Sequence, residues 1–449
     1  MRTANLLRSI GVRLLTPIAF GAVIGLVQAP SAAQPQDAAR ATGQEVTFTR
    51  DVAPIFQRSC QVCHRPGSVA PMSLLTYEDA RPWARSIRQK VVARTMPPWT
   101  IDRTVGIQKF KGDRSLNAAD IATITRWVDS GAPRGNPADM PRPLEFSDNS
   151  KWTLVDALGR QPDLIVPLAE PIVVPPTGAN AWIDVVTDSR LTEDRWIMAH
   201  ETKPSLEGFP VVHHATTAMF TESGLPSGEG FGTEYALGKT GDIFPEGTGA
   251  LIKAGTKIQF NMHYAANGRR TTDRTSLALW FYPKGYEPKH KIIRSRVGWT
   301  EDLDLPAGED NIRTDGYLLL QDNIRMTVFQ PHLHNRGKRQ CLEAIYPNGR
   351  KETLSCVNWD FGWHIAYNYA DDVQPLLAKG TMLHVISWHD NTKANKWNPD
   401  PDNWVGFGRR SSDDMAFAHV SWYTLTDEEF REQVRARQAT AGVRTSNQP

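Results

Sequence analysis

MTVFQPHLHNRGKRQCLEAIYPNGRKETLSC, residues 326–356, decides how most of the chain is read. Short apolar runs are cut by Pro331, Gly337, Pro347 and Gly349, a texture of strands and turns rather than of helix. Within it, Cys341 and Cys356 flank two strand-like runs joined by the turn Tyr346-Pro347-Asn348-Gly349. With Asn348-Gly349 as a two-residue loop the cysteines stand opposite each other, at a separation a disulfide can span. Pro347 favours instead a type I turn with Gly349 as a bulge, which shifts the register by one. A disulfide is the expectation and two buried thiols are the alternative.

The same texture extends outward. LIVPLAEPIVVP (164–175), KIQFNMHYA (257–265) and SLALWFYP (276–283) are further short runs ended by Gly, Pro, Asn or Asp. From about 150 to 430 the chain therefore reads as all-β, in two sandwiches. Fourteen Trp and 31 Pro suit loop-rich, aromatic-packed β structure. Lys plus Arg is 51 against 49 Asp plus Glu, so no electrostatic footprint for nucleic acid is present.

The first 135 residues differ. Arg2, Arg8 and Arg13 lead into the apolar run Leu14 to Val27, followed by Ser31, Ala32 and Ala33. This is the order of a secretory signal peptide, residues 1–33, and the run is shorter than the roughly 20 apolar residues of a membrane span. Residues 34–45 read as a disordered leader, and the mature chain as periplasmic or secreted with no stable membrane span. Residues 46–135 form a compact segment with helical patterns. The best is SLNAADIATITRWVDSGAP, with Ser115 or Asn117 as cap and Ile121, Ile124 and Val128 on one face. Pro-rich residues 136–164 are a linker. A terminal helix follows the Thr426-Asp427 cap, and 431–449 hold its end and an irregular tail.

SCQVCHRPG contains C-x-x-C-H at Cys60, Cys63 and His64. The spacing suits two thioether bonds to one c-type haem with His64 as an iron ligand. The string arises by chance about once per thousand chains of this composition, so it is a strong signal. A zinc half-site would need more Cys or His in the segment, and a redox dithiol a βαβ setting. Two methionines offer a sixth ligand. Met96, in RTMPPW, is favoured over Met72, which follows His64 too closely to wrap to the opposite haem face.

The remaining histidines begin at His200. FPVVHHATTAMF gives His213 and His214, IQFNMHYAANG gives His263, and VFQPHLHNRGK gives His332 and His334. An adjacent pair or an H-x-H arises about once in three such chains, so neither string carries weight alone. In a strand, His332 and His334 share a face and can grip one metal, whereas His213 and His214 can do so only at a bend or edge. Imidazoles with a thioether select copper. His364, His384, His389 and His419 read as packing or hydrogen-bonding residues, with His389 near enough to reach the second cluster. His200 is open, and His290 reads as surface.

Taken together, residues from about 165 to 425 resemble the copper type II, ascorbate-dependent monooxygenases, the family of peptidylglycine alpha-hydroxylating monooxygenase and dopamine beta-monooxygenase. The resemblance implies two jelly-roll-like domains, 165–295 and 296–430, with two separate copper sites. Its first site corresponds to His213, His214 and His263. Its second corresponds to His332, His334 and Met415 in SSDDMAFAHVSWY, where oxygen chemistry would occur. FTRDVAPIFQRSCQVCHRPGSVAPMSLLTYEDARPWARSI (48–87) and MPPW are similar to a bacterial branch with a fused N-terminal haem domain. The implied architecture is a small mainly-α cytochrome c-like domain followed by two all-β jelly-roll-like sandwich domains. The implied activity hydroxylates a C–H bond of a small organic substrate with O2. Ascorbate or another external donor would supply electrons, through one covalent haem to two coppers. The alternatives are a non-catalytic haem and copper electron-transfer or metal-binding protein, or a carbohydrate- or surface-binding module with structural metal or none. Most of the disulfide cysteines of the animal enzymes are missing, and no motif matching their substrate-binding residues is present.

One consequence is measurable at once. The unfolded, non-reduced protein should release no titratable thiol from Cys341 and Cys356; a count of two would refute the disulfide.

Overall fold

A computed structural model describes residues 45–146, 150–178, 181–221, 232–236, 241–299 and 301–446. The expected signal peptide and nearly all of the leader lie outside these residues. Residues 46–449 group as one unit. No helix among the described residues is long and apolar enough to cross a membrane.

The alternating runs form the strands, and the longest assembly is a ten-stranded sheet. Its order is Leu164–Pro167, Ser276–Phe281, Arg195–Lys203, Thr248–Ile252, His290–Val297, Ala416–Leu425, Asn323–Leu333 and Tyr367–Asn368. Gly241–Ile243 and Leu376–Leu377 add to it from the side. His290–Val297 is the join between halves. It pairs in parallel with Thr248–Ile252 and antiparallel with Ala416–Leu425.

A four-stranded sheet covers each half. Ala181–Asp188, Lys257–Tyr264, Val212–Phe220 and Glu234–Ala236 lie over the first. Ile312–Leu319, Met382–His389, Gly337–Ile345 and Lys351–Asn358 lie over the second. Inward residues of facing sheets make two cores. Ile197, Ile252, Phe260, Met262 and Leu279 fill one, and Met326, Phe329, Leu342, Leu383 and Val420 the other. Each such side chain contributes about 1.5–3 kcal/mol of burial.

The expected architecture is corrected in front of these sheets. The described chain is mostly β, and no sizeable mainly-α cytochrome c-like domain precedes the sandwiches. Helices between Ala53 and Asp129 have only 7, 4, 9 and 12 residues, with short 3-10 and π turns between or before them. The reason is in the composition: Pro66, Pro71, Pro82, Pro97 and Pro98 remove backbone donors and interrupt helical runs. Nor does the segment keep its apolar surface to itself. Ile101 bridges to Val357 and Phe110 to Tyr369, in the second sandwich. Asp102 pairs with Arg339 at 2.7 Å, and Trp99 meets Tyr367 edge-on with ring centroids 5.0 Å apart.

Local readings fare better. Asn117 caps the helix Ala118–Asp129 through a reciprocal pair with Asp120. Its buried face is Ile124 and Trp127, with Ile121 and Val128 beside them. Thr426 and Glu429 form the same box at the helix Asp427–Ser446, which continues into the stretch read as tail.

Cys341 and Cys356 are joined, and the register shows how both turn arguments apply. Gly349 N–H donates to Tyr346 O at 2.9 Å with Gly349 at φ +80°, and Ile345 faces Lys351, which is the bulged turn Pro347 favours. A second irregularity falls between Leu342 and Glu343, leaving Leu354 as the extra residue. It restores the register, so Cys341 faces Cys356. Closing this loop adds about 3 kcal/mol in the chain-entropy view.

Phe110 is buried against Trp99, Tyr367 and Tyr369. Phe110→Ala should therefore cost about 3–5 kcal/mol in urea unfolding. A loss below about 1 kcal/mol would mean that the segment is not docked on the second core.

Candidate functional site

Adjacent residues of a regular strand point to opposite faces. Between Val212–Phe220 and Lys257–Tyr264 the ladder slips: Val212 faces Tyr264, but His214 faces His263. His213 is the extra residue of a bulge, and its ring comes round to the side of the other two. His213 Nδ1 lies 3.2 Å from His214 Nδ1, and His263 Nδ1 lies 3.4 Å from that same atom. His213 Nε2 donates to the Gly362 carbonyl at 3.2 Å, so its Nδ1 keeps the lone pair. Trp182 stacks on His263 with centroids 4.2 Å apart.

The second set is built by Asp414, which is fully buried. Its carboxylate accepts from the backbone N–H of His334, Arg336 and Met415, each at 2.9 Å. It also lies 3.4 Å from His389 Nε2. Burial pushes this carboxyl up, but His389 and His334 outweigh it and hold it below the usual carboxylate range. His389 Nε2 also lies 3.3 Å from the Met415 carbonyl, so this histidine supports the site from behind. His332 and His334 have centroids 5.4 Å apart, and His334 Nδ1 donates to Asp413 O at 3.2 Å. That leaves His334 Nε2 as the free lone pair.

These two sets are neighbours. His364 stands between them, its ring centroid 4.5 Å from His214, 5.6 Å from His213 and 5.5 Å from His332. His214, His332, His334 and Met415 line one cavity of about 550 Å³. Trp299, Phe417 and Arg296 line it too, the Arg296 guanidinium 4.6 Å from the Trp299 ring centre.

The donor set suits a soft or borderline metal ion. Burial pushes His263 down to about 3 and His214, His332 and His364 well below the usual imidazole range, neighbouring histidines adding to the effect. Neutral imidazole is the metal-binding form. His263 Nε2 and both ring nitrogens of His364 are buried without a hydrogen-bond partner among the described residues. Each such atom costs about 1–3 kcal/mol unless something satisfies it.

A second cavity, of about 780 Å³, is lined by Cys60, Cys63, His64, Met72 and Met96. The cysteines follow the helix Ala53–Ser59 in a turn where His64 N–H donates to Cys60 O at 3.0 Å. His64 Nδ1 donates to Met72 O at 3.2 Å, which orients the ring and leaves Nε2 free to ligate. Leu74, Ile87, Val91 and Trp99 give the cavity apolar walls, and its size is that of a cofactor pocket. Burial pushes the Cys60 thiol up to about 12, the reverse of a reactive dithiol. The residues fit a covalent haem. Met96 and Met72 both reach this cavity.

Four contributors escaped the sequence reading: His364, Trp182, Asp414 and Arg296. His364 sits in DFGWH, an irregular stretch with no periodicity to mark it. His384, by contrast, is the hydrogen-bonding residue expected, held by Asp315 at 2.6 Å and Glu343 at 3.2 Å. His290 lies 3.4 Å from Glu429, and His200 3.7 Å from Asp242.

No protein-family model matches the chain, and no curated protein does. Among solved structures, the major capsid protein P2 of bacteriophage PM2 matches 59% of this chain and 98% of its own, at 9% identity and TM-score 0.26. A β-porphyranase of glycoside hydrolase family 86 from Bacteroides plebeius matches 59% and 38%, at 13% identity and TM-score 0.15. Oxalate decarboxylase of B. subtilis matches 63% and 80%, at 8% identity and TM-score 0.13. At such scores these likenesses carry no argument about fold or activity.

Asp414→Asn removes a charge that three backbone donors and His389 share. It should cost about 3–5 kcal/mol in chemical unfolding. A cost within about 0.5 kcal/mol would mean that Asp414 does not organise the second histidine set.

Proposed function

We propose that the chain is an exported copper-dependent monooxygenase that hydroxylates a C–H bond of a small organic substrate, related to the ascorbate-dependent type II family. The observation that carries this reading is the common cavity onto which His214, His332, His334 and Met415 open. A protein that only passes electrons has no need of a 550 Å³ chamber beside its metal ligands.

His213, His214 and His263 would hold one copper, and His332, His334 and Met415 the other. Cys60 and Cys63 would carry one haem c, with His64 and Met96 to hold its iron. When bound, copper supplies the one-electron chemistry of O2 reduction, which with two electrons and two protons yields alcohol and water, while haem supplies an electron inlet from ascorbate or another donor.

The protein's own part is positional. The bulge at His213 presents two consecutive imidazoles to one side. Asp414 holds the backbone of His334 and Met415 together at the facing ends of two paired strands, and both side chains line the one chamber. The Met415 thioether is the soft donor that favours reduced copper. Trp182 packs on His263 and lines the chamber, limiting water around the imidazoles. Arg296, flanked by Trp299 and Phe417, gives the chamber a flat cationic wall against which an organic substrate can rest.

Quantification on the exported protein should find about one haem and two coppers per chain, with O2 uptake dependent on reductant and on a member of a substrate panel. Met415→Ala should lower hydroxylation by at least about 100-fold while leaving the haem spectrum unchanged. A protein without copper would overturn the reading.

A further inference from the structure

We propose that His364 is a metal ligand, a further imidazole of the centre built on His213, His214 and His263, and that it sets this centre in the wall of the cavity lined by Cys60, Cys63 and His64. The inference rests on the metal reading above.

The geometry singles out these three residues. The ligand atoms of His213, His214 and His364 all lie within 4.8 Å of one another. From that spacing, small side-chain rotations bring three nitrogens to the roughly 2.0–2.1 Å bonds of an imidazole-bound ion. His263 approaches the group from its other side, 3.4 Å from His214.

A packing histidine pairs its polar atoms. His384 does so, with carboxylates at both nitrogens and Tyr317 stacked on its ring at 4.5 Å. His364 is as deeply buried, 4% exposed like His384, yet neither of its nitrogens has a hydrogen-bond partner among the described residues. Its ring is fixed by aromatic contact instead. Trp359 meets it edge-on with centroids 4.9 Å apart, and Trp359 is itself tied to the His334 carbonyl at 3.0 Å. An oriented, unpaired imidazole facing two others is what a ligand requires.

The position of His364 adds the second half. With Trp363 and Ile365 it lines the 780 Å³ cavity that also holds Cys60, Cys63, His64 and Met96. One face of the stretch 363–365 therefore borders the haem cavity, while the His364 ring reaches the histidine cluster. His364 thus touches both the wall of that cavity and the histidine cluster.

The test uses the full chain with haem attached and Cu2+ as the probe. His364→Gln and His364→Phe are compared with wild type and with His384→Gln, by chelator competition and by pulsed EPR of coordinated imidazole nitrogen. Both His364 variants should weaken one copper by at least about 10-fold. Both should lose one nitrogen from the EPR pattern, and His384→Gln should change neither. Haem absorption and thermal midpoint establish folding, and if one variant fails to fold the other decides. Unchanged affinity and nitrogen pattern, in a protein whose copper is lost on His213→Ala, overturn this inference alone. Absence of copper binding by wild type overturns it together with the metal reading.

Discussion

Strand His290–Val297 is hydrogen-bonded on both edges, to Thr248–Ile252 of the first half and to Ala416–Leu425 of the second. Each ladder bond contributes only about 1 kcal/mol net, but leaving such groups buried and unpaired costs about 1–3 kcal/mol each. The two sandwiches are therefore bound to a shared sheet and not simply linked in series. Ala416–Leu425 in turn pairs along Asn323–Leu333, placing His332 opposite Phe417 and fixing the second histidine set in that sheet. Backbone pairing thus fixes the frame in which histidines more than a hundred residues apart in sequence become neighbours.

The cluster so assembled runs against ordinary core economy. Cores exclude unpaired polar atoms, and proteins retain them where chemistry requires it. Here six imidazoles, from His213, His214, His263, His332, His334 and His364, lie along a chain of ring contacts of 4.5 to 5.6 Å. Burial, and for most of them the neighbouring imidazoles, disfavours protonation of His213, His214, His263, His332 and His364, so their lone pairs stay available. The surrounding rings of Trp182, Trp359, Phe361 and Phe417 are large, stiff side chains that hold these orientations without competing for the nitrogens.

Much of this was legible in the residues. Strand texture, the hairpin around Tyr346-Pro347-Asn348-Gly349, the caps at Asn117 and Thr426, and the His213/His214 and His332/His334 strings are all local patterns. Local patterns carry information because propensity and turn chemistry act over a few residues. What escaped was non-local. The bulge at His213 depends on its partner strand, and the second bulge at Leu354 on pairing that no single strand specifies. His364 acquires meaning only from where DFGWH is laid down. The mainly-α domain expected at 46–135 failed for a related reason. C-x-x-C-H and the helix 118–129 identify local features, but the intervening prolines and the apolar residues Ile101 and Phe110 commit that stretch to short helices and to a neighbour's core.

That commitment bears on how such a chain can be inherited. A cut after residue 135 would strip Ile101 and Phe110 of the surfaces they cover and uncover Val357, Tyr367 and Tyr369 on the other side. The N-terminal stretch is not a cassette to be exchanged at will. A lineage that replaced it would have to rewrite the facing residues of the second sandwich in step. The imprint of that shared history should be correlated change at Ile101 with Val357 and at Phe110 with Tyr369, positions that lie some 250 residues apart in the sequence.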